Sequence, residues 1–275
     1  VPPTAGRELP EGPSHRNRTL LNEIHVWAPT FRTFGGGISA FSRELVIALG
    51  SRHGGVQLFG RDDRDGEWDG IRVRGAGAIP APLRKLAFAC RLLAILFRHR
   101  PAWIITTHLN FAPVAWLAKQ LLGVRYVVVA HGIDVHPGLS RMRNIALRRA
   151  DSVWAVSRWT RGRLLQIGMQ PDRVRVLSNT VDDRRFDVGP RPVALRQRYA
   201  IAPGEKVLLT VARLDPAEQY KGCDTVLRAL PALQRQVGPV RYLVVGSGAD
   251  RARIERLAQA LGVAQQVTFC GFVAD

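Results

Sequence analysis

Two cations in one turn are the residues whose types and spacing most directly predict chemistry in this sequence. Arg213 follows an apolar run that ends on Ala212, and Lys221 precedes Gly222 at the start of a helical pattern. A buried strand, a charged turn and a helix form a common phosphate site, because the first N–H groups of a helix attract anions. An arginine can donate hydrogen bonds to two phosphate oxygens at once, and a lysine adds a positive charge on a flexible side chain. The turn therefore suits a diphosphate, although two solvated loop cations would produce the same pattern.

The glycine run Gly35, Gly36 and Gly37 is a second candidate contact for phosphate. It lies between an apolar strand at 22–28 and a helical pattern at 38–49. Glycines at a strand-to-helix turn let the backbone approach a ligand closely and direct its N–H groups at phosphate. Three consecutive glycines are also typical of a flexible turn, and the run taken alone fits both interpretations.

Two histidines follow buried strands and are candidates for a ligand crevice. His131 begins the sequence His-Gly-Ile-Asp, which ends at Asp134 and follows the apolar run 126–130. The alternation of strands and helices predicts a doubly wound parallel sheet, whose ligands bind outside the carboxyl ends of the strands. An imidazole there can donate to a sugar hydroxyl or a phosphate oxygen. A histidine after a strand is also often structural, and His108 has only its position to recommend it.

The pair Arg213 and Lys221, within RLDPAEQYKG, resembles the Arg/Lys pair of family 4 glycosyltransferases, the retaining enzymes with the GT-B fold. The resemblance covers the chain from about Leu20 to its end, and the Arg-to-Lys spacing is longer than in many members. It implies transfer of a sugar from a nucleoside diphosphate sugar, by same-face attack in which the leaving phosphate accepts the acceptor's proton. Arg213, Lys221 and the amides of Gly35 to Gly37 would bind the diphosphate, and no metal or other cofactor is expected.

The same resemblance implies roles for three further residues. His131 would reach into the donor-sugar site, as a catalytic residue alongside the Arg/Lys pair, and Asp134 would contact substrate. Asn179 lies where the family commonly has Asn-Gly-Val-Asp, and this chain has Thr180 in place of the glycine. Asn179 would therefore keep a substrate contact within a different local turn.

Gly246 and Gly248 follow the apolar run 241–245 and predict another turn that a substrate approaches closely. Their Gly-x-Gly lacks the spacing of a dinucleotide fingerprint, so NAD binding is not predicted. In the family, the next segment carries two glutamates, with seven residues between them, that contact the ribose and the donor sugar. This chain stops at Asp275 before such a segment, and ordinary domain size predicts a C-terminal truncation of roughly 100 residues.

The predicted fold class is α/β, with two Rossmann-like doubly wound domains of the GT-B type and the second domain incomplete. Residues 1–20 are rich in Pro, Gly and charge and predict a disordered lead-in. Residues 21–185 would form the acceptor-side domain, 186–204 the interdomain connection, and 205–275 part of the donor-binding domain. The glycine run and the cation pair would face each other across a hinge between the two domains.

The composition restricts the compartment and the partners. The 275 residues carry a formal net charge of +18, which fits nucleic acid, an anionic membrane or anionic substrates. Cys90, Cys223 and Cys270 are far apart, as expected of small buried side chains in a reducing compartment, and they predict no structural metal site. No apolar stretch reaches the roughly 18 to 20 residues that span a bilayer. Since no secretory signal is visible, we expect a cytoplasmic protein.

The helical pattern at 83–99 has two faces with different predicted roles. One apolar stripe predicts the side that faces the core: Leu83, Leu86, Cys90, Leu93 and Phe97. Arg84, Arg91 and Arg98 recur every seven residues on another side. They would bind an anionic membrane and place the protein peripherally on its inner face, unless they are solvated arginines of an ordinary core helix.

Asp63 and Asp65 form a D-x-D sequence, which holds the donor-binding metal in another class of glycosyltransferases. Here no apolar strand leads into it, and Gly and Arg surround it. We therefore predict a solvated loop over 61–70.

Three functions are compatible with these patterns. The preferred one is a glycosyltransferase that uses a nucleotide sugar and an acceptor such as a lipid-linked saccharide, in cell-surface polysaccharide or glycolipid synthesis. An inactive GT-B fragment that binds donor or membrane without turnover fits the missing glutamates. A nucleic-acid-binding protein is supported by charge alone, because no RNP, KH or zinc signature is present, and no nucleic-acid partner is expected.

Overall fold

The computed structural model describes residues 23–32, 36–52, 55–136, 138–181, 188–190 and 192–273, so the predicted lead-in 1–20 and Gly35 lie outside them. The chain divides into two compact units, 1–182 and 183–275. Each unit has its own sheet, of eight and three strands in the described residues. The predicted α/β class is confirmed.

The first unit is a largely parallel sheet with helices on both faces. Its strands are β1 (Ile24–Ala28), β2 (Val56–Gly60), β3 (Gly66–Trp68), β4 (Ile71–Gly75), β5 (Trp103–Thr106), β6 (Arg125–Ala130), β7 (Ser152–Ala155) and β8 (Val174–Val176). Its helices are α1 (Gly37–Gly50), α2 (Ala81–Arg98), α3 (Ala112–Leu122), α4 (Arg141–Arg148) and α5 (Arg158–Gln166). The strand order is β3-β4-β2-β1-β5-β6-β7-β8, and only the β3–β4 pair is antiparallel.

The core of this unit lies on the two faces of the sheet, because successive side chains of a strand point to opposite sides. On β1, Val26 faces a cluster that includes Phe41 and Val46 of α1. Trp27 faces the opposite cluster, to which α2, α3, α4 and α5 contribute buried side chains. Strands covered on both faces are continuously apolar, which explains the Val-rich runs of the sequence.

The second unit contains α6 (Val193–Arg198), β9 (Lys206–Val211), α7 (Cys223–Val237), β10 (Val240–Val245), α8 (Arg251–Ala260) and β11 (Val267–Gly271). Its parallel sheet has the order β11-β10-β9. Both α7 and α8 pack on one face, around Leu227, Tyr242 and Ile254. Leu209 and Val211 on the opposite face are 59% and 70% exposed. A one-sided sheet of three strands fits an incomplete second Rossmann-like domain.

Two short elements lie in segments that the sequence predicted to be irregular. The three-residue strand β3 lies within the predicted loop 61–70, and α6 lies within the predicted connection 186–204. Both are shorter than the windows over which hydrophobic periodicity can be recognised. The boundaries of the predicted domains at 20, 185 and 204 stay predictions.

The prediction that one apolar stripe of α2 faces the core is wrong for four of its five residues, whereas Leu93 packs against the core. Leu83, Leu86 and Phe97 are 61%, 68% and 59% exposed, and Cys90 on the same stripe is exposed as well. The buried side chains are instead Phe88, Leu92 and Leu96. Among the described residues, none of the helices is both long and apolar enough to cross a bilayer.

Ion pairs explain this orientation of α2. Arg84 Nη1 lies 3.3 Å from Asp62 Oδ1, and Arg91 Nη2 lies 2.7 Å from Asp65 Oδ2. Arg91 lowers the pKa of Asp65 through this contact. The arginine side of α2 therefore faces the loop after β2, and the predicted membrane contacts of Arg84 and Arg91 compete with these pairs. Of the three predicted membrane arginines, Arg98 is exposed at the end of the helix.

The prediction of a solvated loop around the D-x-D is also wrong for its first aspartate. Asp63 is 2% exposed and accepts hydrogen bonds from Thr30 Oγ1 at 2.6 Å, Phe31 N at 2.7 Å and Arg32 N at 3.2 Å. A buried carboxylate needs such donors, so Asp63 fixes the loop that follows β1. Within the described ranges, no group of three His, Cys, Asp or Glu side chains is arranged to hold a metal ion.

Candidate functional site

A pocket in the second unit brings Arg213 and Lys221 together. Both side chains line this shallow pocket, at the carboxyl end of β9 and next to the start of α7. Between them lies the 3₁₀ helix Pro216–Lys221, which Asp215 caps by accepting from a first-turn N–H at 2.9 Å. Gly222, with a φ of 82°, ends this helix and begins α7. The left-handed glycine thus turns the chain directly after Lys221.

The two cations are accessible to a ligand. The Arg213 guanidinium pairs with the Glu218 carboxylate, and the Arg213 side chain is 78% exposed. An exposed ion pair contributes only about 0–1 kcal/mol, so a phosphate can take the place of Glu218 at little cost. Lys221 Nζ lies 5.0 Å from the centroid of the Tyr220 ring. In the part of the chain that the structure describes, Lys221 has no carboxylate partner.

Arg253 lines the same pocket but is already engaged. It donates to both carboxylate oxygens of Asp224 at 2.7 and 2.8 Å, and to both of Asp250 at 2.7 Å. Hydrogen bonds to Asp224 and Asp250 raise the pKa of Arg253, and Arg253 in turn lowers the pKa of Asp224. Because this network ties the start of α8 to the start of α7, Arg253 stabilises the wall of the pocket.

Gly246 and Gly248 allow a close approach, but the group that approaches is the chain itself. A Cβ on Gly246 would lie 1.9 Å from Ala212 O, and one on Gly248 would lie 2.0 Å from Leu214 O. The N–H of Ala212 donates to Val245 O at the end of β10, and the N–H of Leu214 donates to Ser247 O, each at 3.0 Å. Since Arg213 lies between these two residues, the glycines fix its backbone on both sides. Direct contact of Gly246 and Gly248 with substrate stays a prediction.

His131 lies at the carboxyl end of β6, in the first unit, and is 7% exposed. Its Nε2 lies 3.0 Å from Thr107 O. A carbonyl oxygen only accepts, so Nε2 carries the proton and Nδ1 is the nitrogen that remains for a ligand. Phe41 of α1 packs edge-on against the imidazole, with ring centroids 5.4 Å apart. Burial lowers the pKa of His131, so the neutral ring suits accepting from a sugar hydroxyl better than donating to phosphate.

Asp134 and His108 extend this polar cluster. His108 Nε2 lies 3.8 Å from Asp134 Oδ1, and His108 Nδ1 accepts from Asn110 N at 3.1 Å. Asp134 Oδ2 is buried without a hydrogen-bond partner among the described residues. Burial raises the pKa of Asp134 and lowers the pKa of His108 to about 4. An unpaired buried carboxyl oxygen is costly, and a sugar hydroxyl could satisfy it. From the sequence, only the position of His108 after a strand made it a candidate. Its contact with Asp134 depends on β5 and β6 being neighbours in the sheet, which the sequence does not reveal.

Trp159 is a candidate residue that the sequence interpretation missed. It lies in the first turn of α5, which begins after Ser157, whose Oγ accepts from Thr160 N at 3.0 Å. A Cβ on Gly132 would lie 2.9 Å from the Trp159 ring, so the loop after β6 passes close against the indole. The indole is 64% exposed and offers a flat apolar surface beside the loop that carries His131 and Asp134. No sequence motif includes Trp159, and only the fold reveals this contact.

The described glycines of the predicted phosphate loop begin α1. Gly36 is the N-cap, with a φ of 81°, and Gly37 is the first helical residue. Both are exposed, and a Cβ on either would meet nothing within 4 Å. Neither glycine has a side chain that could cover the first N–H groups of the helix, which are the groups that bind anions at helix starts. Gly35 lies outside the described residues, and Asn179 is exposed beyond the end of β8, so their predicted roles stay predictions.

Comparison with known proteins relates both units to one class of enzyme. The family described as "Glycosyl transferase 4-like domain" matches residues 36–180, and "Glycosyl transferases group 1" matches residues 194–275. The GDP-mannose-dependent alpha-(1-6)-phosphatidylinositol monomannoside mannosyltransferase of Mycolicibacterium smegmatis is 35% identical over 166 residues, 58% of this chain and 42% of that protein. The D-inositol 3-phosphate glycosyltransferase of Segniliparus rotundus is 28% identical over 305 residues, 97% of this chain and 67% of that protein.

A solved structure supports the fold. Anabaena Alr3699/HepE in complex with UDP-glucose has a TM-score of 0.69 at 19% identity, covering 91% of this chain and 69% of that chain. The chain spans about two fifths to two thirds of the length of the two relatives above. The two family matches and the α/β architecture of both units together show that the chain belongs to the family 4 glycosyltransferases, retaining enzymes with the GT-B fold.

Proposed function

We propose that this protein transfers a sugar from a nucleoside diphosphate sugar to a hydroxyl group of an acceptor, with retention of configuration. The observation that carries the proposal is the pocket in which Arg213 and Lys221 lie together at the carboxyl end of β9. Parallel α/β sheets bind their ligands at that end of the strands. A planar guanidinium with a nearby ammonium matches the several oxygens of a diphosphate.

In the proposed reaction, the bond between the anomeric carbon and the phosphate oxygen breaks, and its electron pair stays on the diphosphate. Arg213 and Lys221 stabilise the charge that develops there, and they do so more in the transition state than in the ground state. The acceptor oxygen bonds to the anomeric carbon on the face that the diphosphate leaves, and its proton passes to the leaving phosphate oxygen. His131 Nδ1 and Asp134 Oδ2 would accept from hydroxyl groups of the sugar.

The donor can be identified by binding, which does not require turnover. A thermal shift screen should begin with GDP-mannose and UDP-glucose, the donors named for the M. smegmatis relative and the HepE complex. We expect one sugar nucleotide to raise the melting temperature and the same compound to be consumed in a transfer assay whose product keeps the anomeric configuration. A chain that no sugar nucleotide stabilises would count against the proposal.

We further propose that the acceptor is a lipid-linked saccharide at a membrane surface. The M. smegmatis relative is named for a phosphatidylinositol monomannoside, which is such an acceptor. In this chain, the apolar stripe of α2 that is exposed, Leu83, Leu86 and Phe97, has the size and spacing that suit insertion among lipid headgroups. The exposed Arg98 at the end of the same helix supplies a cation for lipid phosphate.

Vesicle sedimentation tests this surface. The triple variant Leu83→Ser, Leu86→Ser and Phe97→Ser should lose most of the retention by vesicles that contain anionic lipid. Ile47→Ser is the control, since Ile47 is 49% exposed but lies on α1, on the opposite face of the sheet. Equal retention of the wild type and the triple variant would contradict the membrane proposal without affecting the donor proposal.

A further inference from the structure

The amino edge of the first sheet carries a row of arginines that the proposed reaction does not use. Strands β5, β6, β7 and β8 are neighbours and run parallel, so their amino ends lie along one edge. Each of these four strands has an arginine at its first position or one to three residues before it: Arg100, Arg125, Arg149 and Arg173. With neighbouring strands about 4.8 Å apart, the four positions extend over roughly 15 Å of the edge.

At the β7–β8 end of this row lies a cavity of about 260 Å³, open to solvent and lined by Arg148, Arg149, Gly168, Met169, Gln170 and Arg173. None of these lining residues is acidic. Two acidic residues lie near the lining residues in sequence. Asp151, which precedes β7, is occupied by Lys119 Nζ at 2.6 Å and by Tyr126 N at 2.9 Å. Asp172, next to Arg173, is exposed and does not line the cavity. Positive charge in the cavity is therefore not offset by its own walls.

The three arginines of the cavity have different tasks. Arg148 donates to Gly168 O at 3.2 Å, to Ile167 O, and to Asn144 Oδ1 at 3.0 Å. It thus satisfies carbonyl groups at the end of α5 and forms a wall. Arg149 and Arg173 have no carboxylate partner in the described part of the chain. Two guanidinium groups without carboxylate partners beside one cavity have the charge and the donors that suit an oxyanion.

We propose that this cavity binds a phosphate group, with Arg149 and Arg173 as its ligands and Arg148 as the residue that positions the wall. Its residues belong to the first unit, whereas those of the donor pocket belong to the second. The site is also separate from His131 and Asp134, which lie at the carboxyl edge of the same sheet, about 13 Å away along a four-residue strand. The phosphate comes either from a soluble phosphorylated compound or from a phospholipid headgroup.

Nuclear magnetic resonance with pyrophosphate as the probe tests the site on the full chain. We expect saturable shifts of the amide signals of Gly168 and Gln170, in the cavity. We expect a separate shift of Gly222, which lies between the pocket residues Lys221 and Cys223. The double variant Arg149→Gln and Arg173→Gln should weaken binding at the cavity about tenfold or more, because each lost charged hydrogen bond accounts for about that factor. Binding at Gly222 should not change.

Two matched variants make the result specific. The double variant Arg175→Gln and Arg235→Gln removes the same charge from exposed positions outside the cavity. In this variant, pyrophosphate should shift the amide signals of Gly168 and Gln170 as it does in the wild type. Arg213→Ala with Lys221→Ala should abolish the shift of Gly222 and leave the cavity signals unaffected. A failure of this inference and a failure of the proposed function are therefore distinguishable.

The absence of a saturable shift at Gly168 and Gln170 would overturn the inference, and so would an unchanged affinity in Arg149→Gln with Arg173→Gln. If the inference holds, vesicles of phosphatidylcholine with and without phosphatidic acid identify the source of the phosphate. Weaker retention of the double variant by the anionic vesicles identifies a lipid headgroup. Equal retention of the variant and the wild type, together with pyrophosphate binding, identifies a soluble phosphate compound.

Discussion

Replacing Gly248 by alanine tests how the fold holds Arg213 in place. A Cβ at this position would lie 2.0 Å from Leu214 O and 2.5 Å from Leu214 C, which are backbone atoms with no side-chain freedom to yield. The φ of 155° at Gly248 is a further obstacle, since side chains rarely adopt it. Relief of the contact requires that the two segments separate by more than about 1 Å, judged from ordinary carbon–oxygen contact distances.

The magnitude follows from the bonds that this separation breaks. Leu214 N donates to Ser247 O at 3.0 Å, and Asp250 N donates to Leu214 O at 2.9 Å. Losing both bonds costs about 1–3 kcal/mol, and the strained backbone costs about 1–3 kcal/mol more. We therefore expect the second unit to lose roughly 2–6 kcal/mol of stability. Displacement of Arg213 should also weaken nucleoside diphosphate binding about tenfold.

Gly262→Ala is the matched control, because Gly262 also has a positive φ, of 68°, but a Cβ there would meet nothing within 4 Å. This change should cost only about 1–2 kcal/mol, the penalty of a left-handed conformation for alanine. All six tryptophans lie in the first unit, so amide hydrogen exchange of β9 and β10 is the suitable measure of stability for the second. If Gly248→Ala matches Gly262→Ala in hydrogen exchange and in calorimetric diphosphate affinity, the glycine contact does not position Arg213.

Three further predictions concern the first unit. Asp63→Ala leaves the donors of Thr30, Phe31 and Arg32 without their acceptor and should lower the free energy of unfolding by about 3–5 kcal/mol. If tryptophan fluorescence shows the same denaturation midpoint for Asp63→Ala and the wild type, Asp63 does not have this role. Unfolded His108 binds a proton below pH 6.5, but the folded ring does so only near its pKa of about 4, so stability should fall by up to roughly 3 kcal/mol as the pH drops through this range. His108→Asn keeps a capping acceptor and should remove that part of the pH dependence, and an unaltered slope would contradict the assignment. Ser157→Ala should cost about 1 kcal/mol by removing the cap of α5, a loss that urea denaturation can measure.

The sequence predicted best where the signal is local. The strand before Arg213 and the start of a helix after Gly222 depend on residues within one strand–turn–helix segment, and the structure has both. The strands of the doubly wound pattern were recognisable because burial on both faces makes them continuously apolar.

Long-range contacts account for what the sequence could not predict. Helix α2 has two apolar stripes at helical spacing, and periodicity cannot decide between them. The choice depends on Arg84 and Arg91, whose partners Asp62 and Asp65 precede them by 22 and 26 residues. The burial of Asp63 likewise depends on donors more than 30 residues earlier, from Thr30 to Arg32. Such partners follow from the order of strands in the sheet, which the sequence alone leaves open.

The pairing of the candidate site residues also required the fold. Asp134 follows β6 and His108 follows β5, and their contact of 3.8 Å exists because these two strands are neighbours in the sheet. The contact between Gly132 and Trp159 arises in the same way from the neighbouring strands β6 and β7. Gly246 and Gly248 predicted a close approach by substrate. In the structure, the backbone of Ala212 and Leu214, on either side of Arg213, occupies the space where their Cβ atoms would lie.

The central claim is that Arg213 and Lys221 bind the diphosphate of the donor, and a comparison of nucleotides tests it most directly. Calorimetry should show that the wild type binds the matching nucleoside diphosphate at least about tenfold more tightly than the monophosphate, because only the diphosphate reaches both cations. Arg213→Ala with Lys221→Ala should reduce this ratio to near one, while Lys206→Ala with Arg235→Ala, which removes the same charges outside the pocket, should preserve it. An unchanged ratio in the Arg213 and Lys221 variant would contradict the account.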